Sequence, residues 1–197
     1  MFSILREVKL ADVFSLLNLV FGFSGIYMRE ISFVFLAAIM DGVDGIVATK
    51  SSGKFGKELD SLADLVSFGV LPAVFIAAHN PVIAAFYVIA AALRLARFNV
   101  LRVEHFVGLP VTASALLIAP AVNLRFGSSA ICFIALTSAL LMISDVKYIR
   151  VRDLRILSVV AAAILAAFFV KDAAYAVFFA FLLYLVSPLW RRREYMW

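Results

Sequence analysis

The chain has 197 residues, of which 65% are hydrophobic and only 16% charged, with a formal net charge of +5 and a mean hydropathy of +1.05. No soluble domain of this size needs so much apolar residue, so the surface itself is apolar and the chain reads as an integral membrane protein. The single cysteine, Cys132, excludes an internal disulfide and a thiolate metal cluster, and within its apolar run it reads as a small buried side chain.

The start, MFSILREVKLADVFS, lacks the short apolar run and small-residue cleavage site of a secretory signal. It reads as an amphipathic segment on the membrane surface that feeds into the first span. A spanning helix needs roughly 17 to 25 mostly apolar residues. Eight segments are candidates, at about 11–28, 31–50, 56–78, 81–102, 109–124, 127–143, 154–170 and 172–189. The fifth and sixth are short, and one bent helix around Asn123–Arg125 is the alternative, although 109–143 is too long for a single crossing. No linker, low-complexity tract or repeat interrupts the chain. The expected fold is therefore all-α, a polytopic bundle of about eight transmembrane helices in a single domain over 1–197, with both termini cytoplasmic.

Charge placement supports this topology. A cytoplasmic N-terminus puts Arg6, Lys9, Lys50, Lys54, Lys57, Arg94, Arg97, Arg102, Lys147, Arg150, Arg152, Arg155, Arg191, Arg192 and Arg193 on one side. The other side receives only Arg29, Arg125 and Lys171. That bias agrees with the positive-inside rule. The net charge then marks topology and anionic lipid. Basic residues dispersed among loops point away from nucleic acid. Tyr195 and Trp197, beside Arg191–Arg193, read as an interfacial anchor.

Four aspartates interrupt the second and third spans: Asp41, Asp44, Asp60 and Asp64. An ionised carboxylate in a span costs several kcal/mol unless it is paired or ligates a cation. Spacings of i, i+3 and i, i+4 put each pair on one helix face. Two antiparallel helices joined by the loop 50–56 bring the pairs together at the cytoplasmic side. Four carboxylates at close range cannot all stay ionised without counter-charge. Oxygen donors without His or Cys favour a hard cation, Mg²⁺, Mn²⁺ or Ca²⁺. Gly42, Gly45 and Gly56 allow a phosphate or nucleotide to approach the backbone, and Lys50, Lys54 and Lys57 add positive charge at the rim. The simpler reading is that the carboxylates pair with neighbouring Lys and Arg or cap helix ends.

The pattern Asp41-x2-Asp44-Gly45-x2-Ala48, then Gly56-x3-Asp60-x3-Asp64, resembles the signature of the CDP-alcohol phosphotransferases, membrane enzymes that transfer a phosphatidyl-type group from a CDP-linked lipid to an alcohol and release CMP. The full signature has Arg after the alanine and eight residues before the second glycine. This chain has Thr49 and six residues, 50–55. The runs LDSLADLVSFGVLPA, ALRLARFNV, VGLPV, SLLNLVFGF and LLMISDVKY are similar to the phosphatidylserine synthase branch, archaeal members included.

The resemblance implies divalent cations held by Asp41, Asp44 and Asp60, with Asp64 completing the site and acting as general base. It implies close approach of the cytidine at Gly45 and Ala48, near Gly56, with Asp12 and Asn18 lining the nucleotide side. Asn18 as an interhelical hydrogen bond and Asp12 as a helix cap are the alternatives. Arg94 and Arg97 suit capture of the serine carboxylate or the lipid phosphate; snorkelling to the interface competes with that role. Lys57 joins them on the substrate side. Ser67, Thr112 and Ser114 are weaker candidates, since small hydroxyls commonly pack between membrane helices. His79 and His105 fall in loops and do not read as catalytic.

The expected function is metal-dependent transfer from CDP-diacylglycerol or CDP-archaeol to L-serine, at the cytoplasmic face of the cell membrane, with CMP as product. The family implies a homodimer. Glycerol 3-phosphate or an inositol phosphate as acceptor is the alternative within the class, and a cation or proton transporter the alternative outside it.

Overall fold

The structure is a computed structural model that describes residues 7–48, 56–100, 106–148 and 153–191. Thr49, Lys50, Lys54, Arg102, His105, the expected 192–197 anchor and most of the expected surface segment lie outside these ranges, as do the side chains of Ala48 and Arg191.

Eight helices form among the described residues, each within two residues of the bounds expected from sequence. They are α1 (Leu10–Met28), α2 (Phe33–Ala48), α3 (Gly56–Ala77), α4 (Pro81–Val100), α5 (Val111–Asn123), α6 (Ser128–Met142), α7 (Leu154–Phe169) and α8 (Ala173–Arg191). Three of them, α1, α3 and α4, are long and apolar enough to cross a membrane. The bent-helix alternative for 109–143 is not adopted: Arg125 turns the chain at φ 56° between α5 and α6.

Local chemistry sets the helix ends. The Asp12 carboxylate accepts the Lys9 N–H at 2.7 Å, capping the start of α1 from its third position. Asn80 Oδ1 accepts the Val82 and Ile83 N–H groups at 3.0 and 3.1 Å and opens α4. Asp153 does the same for α7 through the Arg155 N–H.

α5 is the hub. From Val111 to Ala121 every residue except Thr112 is buried, and α2, α3, α4, α6 and α8 all pack on it. Its 13 residues rise about 20 Å, short of a hydrocarbon core of about 30 Å. Enclosure by protein removes the need for lipid to meet both ends. α7 packs on α2 and α8.

α1 lies tightly against α2 and α3. Glycines permit this approach: a Cβ on Gly22 would strike Ser67, and one on Gly25 would sit 2.7 Å from a Leu71 methyl. Within α3 the turn Leu65–Val70 is π-helical. Pro72 offers no N–H to the Phe68 carbonyl one turn back. The buried Tyr87 hydroxyl of α4 donates to that carbonyl at 3.1 Å and also meets Ser114 of α5 at 2.9 Å.

A short antiparallel bridge pairs β1 (Phe106–Val107) with β2 (Lys147–Tyr148). It closes the loop before α5, where Gly108 has φ 80° and a Cβ would strike the Met142 carbonyl. Only glycine suits both the conformation and the space. The VGLPV run is thus a tight entry into α5, fixed by Gly108 N–H to Val146 O at 2.8 Å and Leu109 N–H to Leu141 O at 3.0 Å.

Candidate active site

The last turns of α2 and the first turns of α3 bring the aspartates together. One carboxylate oxygen from each of Asp41, Asp60 and Asp64 lies within 4.8 Å of the others, and Asp44 is in electrostatic reach of Asp60. The two pairs expected from spacing therefore form one cluster. Asp44 and Asp64 are buried, and Asp41 and Asp60 are half-buried.

Neutral donors from two other helices hold three of the four acids. Ser15 of α1 donates to Asp44, Asn18 of α1 donates to Asp64 at 3.0 Å, and Thr112 of α5 donates to Asp41 at 3.1 Å. Hydroxyl and amide donors fix the carboxylates without cancelling their charge, as a cation would need. Oxygens opposed across one ion at metal–oxygen distances of about 2.0 to 2.6 Å are about 4 to 5 Å apart. The cluster matches that scale, and its all-oxygen donor set suits Mg²⁺, Mn²⁺ or Ca²⁺ rather than a soft metal.

On α2, a Cβ placed on Gly42 or Gly45 would meet nothing within 4 Å among the described residues. Gly56, opposite, sits close to Asp12, whose Oδ1 lies 3.2 Å from where a Cβ would be. Asp12 is buried, and that Oδ1 has no hydrogen-bond partner among the described residues.

The basic residues divide. Arg94 is 7% exposed. Its Nε donates to the Leu109 carbonyl at 3.0 Å, its guanidinium lies over the Phe98 ring at 5.5 Å, and it is in electrostatic reach of Asp64, Asp41 and Tyr184. Arg97 instead grips the separate loop that follows α6, donating to the Ser144 carbonyl at 2.8 Å and pairing with the exposed Asp145 at 3.1 Å. Lys57 closes the end of α4, donating to the Asn99 carbonyl at 2.7 Å and the Phe98 carbonyl at 3.3 Å. A cation there complements the helix dipole. Asn18 makes the interhelical hydrogen bond that was one of its two expected roles. Ser67 bonds the Asn18 carbonyl and Ser114 bonds Tyr87. His79 meets Ser128 at 2.9 Å at the opposite end of the bundle.

Two contributors were not singled out from sequence. Ser15 belongs to the buried stripe of α1, Ala11, Asp12, Ser15, Asn18, Gly22 and Gly25. Small and polar residues recurring every three or four positions are the signal of a helix face packed on protein. Tyr184 of α8 packs tilted against Tyr148, with ring centroids 5.4 Å apart, and lies in electrostatic reach of Arg94 on a helix with no motif of its own. Burial pushes the Tyr148 phenol up to about 12, so that group stays neutral at physiological pH.

The model of the CDP-alcohol phosphatidyltransferase family matches residues 7–192. A protein of Methanocaldococcus jannaschii named CDP-diacylglycerol–serine O-phosphatidyltransferase is 39% identical over 155 residues, covering 75% of this chain and 77% of that protein. The archaetidylserine synthase of Methanothermobacter thermautotrophicus is 34% identical, covering 73% of this chain and 71% of its own. A CDP-diacylglycerol–serine O-phosphatidyltransferase of Saccharomyces cerevisiae is 36% identical, with 64% of this chain matched to 58% of that protein.

Proposed function

The chain belongs to the CDP-alcohol phosphatidyltransferase family, and from that membership we propose that it transfers the phosphatidyl-type group of a CDP-linked lipid to the hydroxyl of L-serine, releasing CMP. The observation that carries the reading is the cluster of Asp41, Asp60 and Asp64 within 4.8 Å, set in a chain whose named relatives act on serine or make archaetidylserine.

In this reading Asp41, Asp44 and Asp60 hold a divalent cation, Mg²⁺, Mn²⁺ or Ca²⁺, and Asp64 completes the set. When bound, the ion neutralises charge on the diphosphate and draws electrons from the phosphorus under attack. The serine oxygen bonds to the lipid-bearing phosphorus, the bond to the CMP oxygen breaks, and CMP leaves with that electron pair. Asp64 takes the hydroxyl proton as the oxygen attacks. The cytidine takes the side of Gly45 and Ala48, where no described residue comes within 4 Å of a Cβ placed on Gly45, with Asp12 and Gly56 at its border. Arg94 receives the serine carboxylate, Arg97 secures the adjoining loop after α6 through Ser144 and Asp145, and Lys57 adds charge at the rim. The acceptor is tested by competition: L-serine, glycerol 3-phosphate and an inositol phosphate are offered together and the lipid products are identified by mass. A serine adduct in large excess is expected; a phosphorylated product in excess would reassign the acceptor.

The same reading carries eight crossings, cytoplasmic termini, a multi-pass place in the cell membrane and a homodimer. The acids, Ser15, Asn18, Thr112 and Arg94 share one end of the bundle through their hydrogen bonds. Arg29, Arg125 and Lys171 lie between helices at the other. With Cys132 replaced by Ser, single cysteines at Lys147 and Arg125 are expected to react with impermeant reagent from opposite faces of sealed vesicles. Labelling of both from one face would refute the topology, and a monomer in a native-mass measurement from membrane would remove the dimer.

A further inference from the structure

Asn18 is fully buried and is held by α3 on two sides. Its Nδ2 donates to Asp64 Oδ1 at 3.0 Å, and its backbone carbonyl accepts the Ser67 hydroxyl at 2.8 Å. Asp64 and Ser67 stand on either side of the point where α3 passes into its π-helical turn, so the two bonds bracket that change of register. One turn along α1, Gly22 leaves no Cβ to hold Ser67 away. The side-chain Oδ1 of Asn18 is buried and has no partner among the described residues. An amide that served only to join two helices would more cheaply satisfy both of its ends. Here the bond to one carboxylate is kept, and the other end has no partner among the described residues.

We propose that Asn18 is the positioning residue of Asp64: its amide occupies Oδ1 and thereby orients Oδ2 toward the reacting hydroxyl. This rests on the reading above in which Asp64 serves the reaction. Arg94 attracts Asp64 electrostatically, and without a competing directional donor the carboxylate would be free to turn toward it. The amide supplies direction without charge, and the Ser67 bond keeps the amide from moving with α1. The widened π turn is where α3 adjusts so that Asp64 and Ser67 reach the same residue. The SLLN and SFGV runs, distant in sequence, thus form one device.

The test uses full-length protein in lipid nanodiscs, comparing wild type, Asn18→Leu, Asp64→Asn and the double variant. Turnover and KM are measured for CDP-lipid and serine, and Mn²⁺ affinity is measured without substrate from the free-ion paramagnetic resonance signal. Misplacing a reacting group by about 1 Å costs about a hundredfold, so Asn18→Leu is expected to lower kcat by about that factor, with the KM for CDP-lipid within about threefold. Mn²⁺ affinity is expected to fall in Asn18→Leu but not to fall further when Asn18→Leu is added to Asp64→Asn, because the two residues act as one unit. Additive losses, or a raised KM for CDP-lipid with kcat retained, would overturn the proposal and leave the reaction standing. Wild-type kcat and Mn²⁺ affinity in Asp64→Asn would overturn the assigned role of Asp64, and this inference with it. Should Asn18→Leu fail to fold, Ser67→Ala keeps the amide but frees its backbone. It is expected to give a smaller kcat loss that is again absent in the Asp64→Asn background; an equal loss in both backgrounds would refute the proposal.

Discussion

Asp60→Asn is expected to lower CMP release by about a thousandfold, in line with losses of a group that acts directly on a charged transition state. Asp60 is the bridge of the cluster. Its carboxylate lies within the 4.8 Å group with Asp41 and Asp64, and Asp44 is in electrostatic reach of it. Asparagine keeps the shape and one acceptor oxygen but removes the charge that a cation needs. A second readout separates function from folding. Like charges held together in a low-dielectric span oppose the folded state, so in metal-free buffer the Asp60→Asn protein is expected to melt no lower than wild type. It is also expected to lose the rise in melting temperature that Mn²⁺ gives wild type. A large fall in metal-free melting temperature would mean that the acids are structural partners of nearby cations instead.

Arg94→Lys is expected to raise the KM for serine by about a hundredfold while leaving the KM for CDP-lipid little changed. Arg94 is buried, bonds the Leu109 carbonyl through Nε and lies over the Phe98 ring at 5.5 Å. A planar guanidinium can keep that bond while presenting a second edge to a carboxylate; a lysine ammonium is a point charge and cannot do both. Truncating one partner of a buried charged contact costs about 2 to 5 kcal/mol, the range in which a hundredfold falls. Arg97→Ala is expected to do less, because Arg97 spends its donors on the Ser144 carbonyl and exposed Asp145, a pair that solvent screens. Equal effects on serine KM from both substitutions would place the carboxylate between them, and no effect from Arg94→Lys would remove Arg94 from the acceptor site.

The acids were legible because their cost is local. A carboxylate in an apolar run is an anomaly on its face, and the i, i+3 and i, i+4 spacings fix a common side on any helix. Helix existence was legible for the same reason: apolar runs separated by Arg29, Asn80, Arg125 and Lys171 have little choice of boundary. What sequence could not show depends on which helices meet. Thr112 stands 71 residues from Asp41, and only the packing of α5 at the centre brings them together. Tyr184 sits in a helix without a motif, yet the packing of α8 on α5 brings it into electrostatic reach of Arg94. The π turn in α3 follows from Pro72 and from the contacts of Tyr87 and Ser67, two of them tertiary. Arg97 was assigned to substrate from its spacing with Arg94 and the resemblance of the RLARFN run, and Lys57 from its place at the rim; neither signal reveals that each also bonds a backbone carbonyl. The stripe on α1 was readable but quiet: Ser15 and Asn18 are ordinary in composition and informative only by period.

The central claim is that this aspartate cluster drives a metal-dependent phosphatidyl transfer to serine. It is tested most directly by purified protein given CDP-lipid and labelled L-serine, after chelation and after restoration of Mn²⁺ or Mg²⁺, with CMP and labelled lipid followed together. The account predicts equal amounts of CMP and seryl lipid with the ion restored and neither in its absence. Labelled lipid formed at full rate after chelation, or no CMP with any alcohol acceptor and any of the three hard cations, would contradict it.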